Sequence, residues 1–581
     1  MIIINNKKSS FHICYSKDAD ECTRYSATEL QKYIYKSTKV CIPIFSDKCE
    51  RRSEEIHVGL ARDDAFKDLF LNLSDEAFKL FKSNRDYIIV GKTPRGTMYG
   101  VYYFLNKYLG FRCLSNDTEL LKYTDNLEVS DSETKDFDFE FRDVYWNFAF
   151  DGNYASKNML NSSLADLSIR KGSRRKWYNF HHSFGDLLSA NEYFESHPEY
   201  FSLVDGKRKK EHTELCLSNP DVYKIVLKKL NKWIDDNPDC DVFSVAQDEW
   251  MGHFEKMACE CEKCKEIDEK YKSQSGSIIN FVNRLANDIK ESHPNVLLHT
   301  FAYQYSRKPP VGIKPCDNVI VRLTNIECSW ARSIEEGAKL DPNGRNAQFL
   351  HDLIGWSKIT KRLYIWDYAV NYRNYLLPFP CLRSMYKNIL LYKKIGVKGV
   401  LMEGNFSFGG GGYLDELKAY VASRLLTFDN RSLDEIVKEF CDGYYGQASK
   451  YVIEYINLFE DNIKGDLWLY DDADSEMFTD DLEEKARVII NNALSSVSNG
   501  TKEYKHVLTL YLSYLYLHTV RLSLDEKNRD EEVNKLFSLI KELGVTEIFE
   551  RTSLEFSENV VRKSRYCKDR ENWYSLYYIM K

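Results

Sequence analysis

The sequence predicts an α/β protein built around a (β/α)8 TIM-like barrel, with an N-terminal α/β domain over residues 1–135, the catalytic barrel over 136–430 and a C-terminal α-helical domain over 431–581. Three observations predict this. From residue 137 onward, eight short apolar runs at 141–148, 177–181, 214–217, 241–246, 296–303, 318–324, 362–367 and 397–403 alternate with helical or loop stretches, and eight is the barrel number. Before them, short strands near 11–15, 55–59 and 87–90 alternate with amphipathic stretches such as 27–35, as in a small α/β unit. After residue 428 strands give way to long amphipathic segments at 433–444, 451–462, 481–495 and 504–522. A chain of 581 residues exceeds one hydrophobic core, so division into several domains is expected. The acidic, polar stretch 130–135 reads as the linker into the barrel.

Composition narrows the function. With 88 Asp and Glu against 81 Lys and Arg, the near-balanced charge points to neither a nucleic-acid nor an anionic-membrane partner. Forty Tyr and nine Trp suit carbohydrate, because aromatic faces stack on the apolar faces of sugar rings, although most of these rings belong to the core. The amino terminus has no apolar signal region, and no apolar run approaches the roughly 20 residues of a membrane helix. Fifteen scattered Cys, an odd count, fit reduced thiols. Together these give a cytoplasmic expectation.

The stretch 241–250, DVFSVAQDEW, organises the barrel. Val242, Phe243 and Val245, with small Ser244 and Ala246 between them, suit a strand buried on both faces. Asp248 and Glu249 then follow an apolar run, and two carboxylates in a row belong at a strand mouth, where a pocket can use them. The alternative is a solvated acidic turn. Successive strand side chains point to opposite faces, so both acids can serve one pocket only if the chain leaves strand geometry at Gln247 or Asp248.

ESHPEYFSL at 195–203, LCLSNP at 215–220, SVAQDEW at 244–250, CECEKC at 259–264, YIWDY at 364–368 and the stretch 399–412 together resemble the family catalogued as domain of unknown function 4838. That family is associated with glycoside hydrolases, including the family 163 endo-β-N-acetylglucosaminidases, and is similar in architecture to family 20 and family 123 N-acetylhexosaminidases. RGTMYGVYYFL at 95–105 resembles the domain that precedes the barrel in family 20 hexosaminidases and bacterial α-glucuronidases. The resemblance implies that Asp248 and Glu249 match the family 20 acid pair. In substrate-assisted hydrolysis the sugar's 2-acetamido oxygen attacks the anomeric carbon, so no carboxylate nucleophile is needed. Glu249 would protonate the leaving oxygen and later take a proton from water, while ionised Asp248 would hold the acetamido N–H and stabilise the oxazolinium intermediate. Many members of the resembled family read Asn-Asp here, which leaves open which of the two is the acid.

Arg142 looks like the family 20 arginine that binds sugar hydroxyls, the alternative being a structural salt bridge. Glu403, closing the eighth run, could hold the far hydroxyls, and Trp366, Asp367 and Tyr368 could wall the acetamido pocket. Alternation places Trp366 and Tyr368 on one face and Asp367 on the other, so at least one belongs to the core. Tyr303 could bond the acetamido carbonyl, and His181 or His182 could touch hydroxyls; each could equally be structural. The glycines at 409–412 permit a tight loop and lack the lysine of a phosphate cradle. Cys259, Cys261 and Cys264 are spaced for a structural Zn²⁺, with His253, Cys240, Cys216 or Cys328 as fourth ligand, or are three reduced thiols. No cofactor is expected for catalysis. The expected activity is that of a retaining β-N-acetylhexosaminidase on an oligosaccharide or glycoconjugate carrying β-GlcNAc or β-GalNAc. The alternatives are an endo-β-N-acetylglucosaminidase on N-glycans, an α-glucuronidase-like hydrolase and a non-catalytic glycan-binding protein. A homo-oligomer is compatible with the sequence, which does not fix the oligomeric state.

Overall fold

The computed structural model describes residues 1–62, 67–130, 132–249 and 257–564. At its centre is a parallel sheet of seven strands, consistent with a TIM-like barrel. In chain order these are β1 (Phe141–Tyr145), β2 (Trp177–Tyr178), β3 (Val242–Ser244), β4 (Leu297–Ala302), β5 (Val319–Thr324), β6 (Leu363–Tyr368) and β7 (Gly399–Glu403). Their spatial order is β1-β7-β6-β5-β4-β3-β2, every neighbour parallel. Trp177 packs on Phe141 with ring centroids 5.3 Å apart, so side chains bridge from β2 to β1. Phe141, Val242, Leu297, Ile320, Tyr364 and Leu401 form one buried layer inside the sheet, as side chains fill a barrel.

The expected strand at 214–217 is not in this sheet, and β2 pairs directly with β3. The reason lies in the residues that follow. Asn219 caps the helix Pro220–Asp236 by accepting from the Asp221 N–H, with Pro220 in its first turn. Only Glu214 to Ser218 remain, and their backbone is already used: Cys216 N–H donates to Tyr200 O at 2.8 Å and Ser202 N–H to Glu214 O at 2.8 Å. The segment therefore pairs with the excursion near residue 201 rather than with the barrel.

Residues 132–135, read as a linker, instead form the strand Ser132–Lys135, antiparallel to Phe78–Ser83 at the edge of a six-stranded N-terminal sheet. An edge strand accepts polar residues because solvent reaches it. The helices Glu21–Thr38 and Pro94–Leu109 belong to the same N-terminal unit. Beyond Glu403 no further strand occurs among the described residues, and the carboxyl-terminal part consists of helices from Leu433–Tyr445 to Leu554–Lys563. Among the described residues no helix is long and apolar enough to cross a membrane.

Candidate active site

β3 ends at Ser244, and the chain leaves strand geometry earlier than the acid pair requires. Hydrogen bonds then fix the next residues one by one. Ser183 Oγ donates to Ser244 O at 2.9 Å and accepts from Ala246 N–H at 3.0 Å, tying the segment after β2 to the one after β3. Buried Gln247 donates its amide to Tyr303 O at 3.2 Å and accepts from Ser306 Oγ, which locks the segment after β3 to the one after β4. A buried amide satisfied at both ends has one orientation.

The two acids diverge from this point. Asp248 is half-buried; its Oδ2 accepts from Gly185 N–H at 2.8 Å, and its own N–H donates to Glu214 Oε2 at 3.2 Å. Burial pushes its carboxyl up to about 7, against the lowering effect of the Gly185 N–H. Glu249 reaches the other way, with its side chain 37% exposed, and its Oε1 accepts from the Tyr303 hydroxyl at 2.5 Å. Burial and the Glu249 carboxylate hold the Tyr303 phenol well above its ordinary value, so it remains a donor. His182 Nδ1 lies 2.5 Å from Gln247 O, a carbonyl that can only accept, and its Nε2 lies 3.8 Å from Glu249 Oε2. Burial lowers the His182 pKa, against the raising effects of the Glu249 carboxylate and of the Gln247 carbonyl.

The wall facing Glu249 comes from β6 and β7. Trp366 donates its indole N–H to Glu403 Oε2 at 2.6 Å, and Tyr372 also bonds that carboxylate. Glu403 is 7% exposed, and burial, aided by the Glu550 and Glu249 carboxylates, pushes it up to about 7. His181 stands at the mouth beside Trp366, ring centroids 6.2 Å apart, and burial holds it down at about 4, hence neutral. Tyr368 is buried under the electrostatic influence of Glu403 and Glu249. Tyr303, Trp366, Tyr368, Glu403 and the two histidines are thus brought around Glu249.

Arg142 and Asp367 are not. Arg142 sits on the outward face of β1, fully buried, bonded to Glu76, to Phe139 O at 2.7 Å and to Met159 O at 2.9 Å, and stacked 3.8 Å over Phe137. It joins the barrel to the N-terminal unit and cannot reach a sugar. Asp367 accepts from Asn325 at 2.6 Å and from the Tyr392 hydroxyl at 2.7 Å, on the face of β6 opposite Trp366. Its role is to tie the inner face of the helix Leu382–Ile395 to the sheet.

Three contributors escaped the sequence reading. Glu550 and Arg551 come from the carboxyl-terminal part, where Glu550 N–H donates to Tyr372 O at 3.0 Å. Burial and the Glu249 charge push Glu550 up to about 7, against the lowering effect of Arg551. Arg322 lies inside the barrel, fully buried, with Trp177 and Phe180 at 4.3 and 4.5 Å from its guanidinium. Its Nη1 donates to Phe180 O at 3.3 Å, and burial lowers it to about 9. A signal for Arg322 was present, since a lone charge interrupts the apolar run VIVRLT. Glu550 gave none. Cys259, Cys261 and Cys264 converge with Cys216, and Trp250 and His253 lie outside the described residues.

TIM-like barrels place their functional groups where these carboxylates and aromatic rings gather, at the carboxyl ends of the parallel strands. The family model described as Domain of unknown function (DUF4838) matches residues 117–457, more than half of the chain, and the chain belongs to that family. In fold it is similar to a family GH115 4-O-methyl-α-glucuronidase with specificity for decorated arabinogalactans, at 10% identity and a TM-score of 0.53 over 94% of this chain and 80% of that chain. A Streptomyces plicatus β-hexosaminidase in complex with GlcNAc product aligns at 11% identity and a TM-score of 0.42, over 78% of this chain and 93% of that one. A β-N-acetylhexosaminidase from Bacteroides fragilis aligns at 11% identity and a TM-score of 0.39, over 78% and 94%. No curated protein matches the chain in sequence.

Proposed function

We propose that this protein is a retaining glycoside hydrolase, a β-N-acetylhexosaminidase that uses the substrate's own 2-acetamido group as nucleophile. The observation that carries the reading is the environment of Glu249: a solvent-reachable carboxyl held by the Tyr303 hydroxyl at 2.5 Å, facing a wall of Trp366 and Glu403. Glu249 acts as general acid and then general base, a role that needs access to both the leaving oxygen and water. Trp366 offers its face to the apolar side of a sugar ring, and Glu403 accepts hydrogen bonds from sugar hydroxyls. For Asp248 to take the acetamido N–H, its carboxyl must turn from the Gly185 N–H, on the side away from Glu249, into the Glu249 pocket when substrate binds. Its carboxyl, near half-protonated in neutral water, is driven to the ionised form as positive charge develops on the oxazolinium.

The test uses aryl β-GlcNAc, β-GalNAc, β-glucoside and α-glucuronide substrates together with an N-glycan. Cleavage of the N-acetyl glycosides is expected. Glu249→Gln should abolish turnover of natural glycosides by about 10³-fold or more while sparing activated aryl glycosides, because a good leaving group needs little protonation. Equal losses on both would remove Glu249 from the acid role. The similarity in fold to an α-glucuronidase makes the α-glucuronide the competing substrate to include.

A further inference from the structure

We propose that Cys216, Cys259, Cys261 and Cys264 bind one Zn²⁺ as a closed, structural four-thiolate site that ties the segment bearing Glu214 to the segment 259–264. The four sulfurs all lie within 4.8 Å of one another. A tetrahedral Zn²⁺ with Zn–S bonds of about 2.3 Å sets its sulfurs roughly 3.8 Å apart. Cys216 Sγ stands 3.7 Å from Cys261 Sγ and 4.0 Å from Cys264 Sγ, the separation that such a metal imposes and well beyond a disulfide bond.

The surroundings suit thiolates. Leu203 N–H donates to Cys259 Sγ at 3.4 Å, and the Ser218 hydroxyl lies 3.1 Å from Cys264 Sγ and 3.5 Å from Cys261 Sγ. Cys261 is the N-cap of the helix Glu262–Tyr271 and Cys264 sits in its first turn, where unpaired N–H groups favour negative charge. Four thiolates on one Zn²⁺ leave a net charge of −2, and the Arg208 guanidinium stands beside Cys216, Cys259 and Cys261 to offset part of it. Binding forms four Zn–S bonds, releases four thiol protons to solvent and involves no redox change. With four sulfur ligands no position stays open for substrate, so the metal does not act on the sugar.

Its consequence is positional. Cys216 lies two residues after Glu214, whose carboxylate accepts the Asp248 N–H, and Cys259 follows the acid pair in the chain. The segment Glu260 is also joined to Leu203, with Glu260 N–H donating to Leu203 O at 2.7 Å. A metal here ties the segment that carries Glu214, a partner of Asp248, to the segment 259–264.

The experiment is elemental analysis of the full chain, purified without added metal or a histidine tag and then exposed to Zn²⁺ and desalted. About one Zn²⁺ per chain is expected, with Co²⁺ replacement giving the intense thiolate charge-transfer absorption of a tetrahedral site. Cys216→Ser and Cys264→Ser should each lose most of the metal, and Cys240→Ser, a thiol outside the cluster, should keep it. A strong chelator should lower the Tm of the wild type. Wild-type protein that retains no metal, or whose intact mass falls short by four hydrogens because two disulfides have formed, overturns the proposal. Full Zn²⁺ retention by Cys216→Ser overturns the ligand set.

Discussion

Glu403 carries the clearest electrostatic consequence of the site. Burial raises its carboxyl from 4.5 to about 7, so between those values the folded protein holds a proton that the unfolded chain has already released. Stability must therefore fall as pH rises through that window. Glu403→Gln keeps the shape and the acceptor for the Trp366 N–H but removes the ionisation. The variant should be more stable than the wild type at pH 8, by on the order of 1–3 kcal/mol, and equal to it near pH 4, as thermal unfolding at the two pH values will read. A variant less stable at both would mean that the carboxylate is held by groups stronger than those seen. At this scale the sequence was informative where geometry is local: strand alternation separated Trp366 from Asp367, and the chain leaves strand geometry before the acid pair. It was uninformative about Arg142, because which face of β1 meets the N-terminal unit depends on Glu76, far away in the chain.

Among the elements, the glycine run after β7 has a purpose that its sequence conceals. A Cβ on Gly409 would stand 2.4 Å from both Gly544 O and Thr546 N, and one on Gly411 would meet the Val545 side chain at 2.4 Å. The run is a seat for residues 544–546, and Gly409 N–H donates to Thr546 Oγ1 at 3.0 Å. Further along that segment, Tyr375 N–H donates to Ile548 O at 2.9 Å, and Glu550 arrives beside Tyr372 and Glu403. Gly409→Val should unseat the segment and lower kcat/KM about tenfold or more, since a displacement near 1 Å at a reacting centre has effects of that size. Limited proteolysis near residue 545 should rise in parallel; unchanged kinetics would separate the segment from the site. A tight loop was legible in four glycines. Its partner was not, because backbone contact between distant segments leaves no periodicity in either. The missing strand at 214–217 has the same origin, as its backbone partners lie in an excursion rather than in the sheet.

Across the whole molecule, Arg142 and Glu76 connect the barrel to the N-terminal unit, with Arg95 Nε 2.9 Å from Glu76 Oε1 and Asn161 donating to the same carboxylate at 2.9 Å. Removing one partner of a buried pair leaves a charge short of compensation. Arg142→Met should cost about 3 kcal/mol in unfolding free energy, with Arg95 limiting the loss, and should leave KM within about twofold at temperatures where the protein is folded. A raised KM without a loss of stability would restore Arg142 as a sugar ligand. The alternation of short apolar runs and helices made the parallel sheet readable, because most of its strands are buried on both faces. The contribution of the carboxyl-terminal part to the cleft was not, since amphipathic helices show that they pack without showing against what.

Attack by the acetamido group of the substrate fixes the anomer of the first product, and that anomer is the most direct measurement of it. Proton NMR recorded immediately after mixing an aryl β-N-acetylglycoside with enzyme should show the β anomer first, followed by slow mutarotation, and matched glucosides with a free 2-hydroxyl should remain uncleaved. An α anomer as first product, or cleavage of plain glucosides as fast as their N-acetyl counterparts, would contradict the account and make Glu403 a second catalytic carboxylate opposite Glu249.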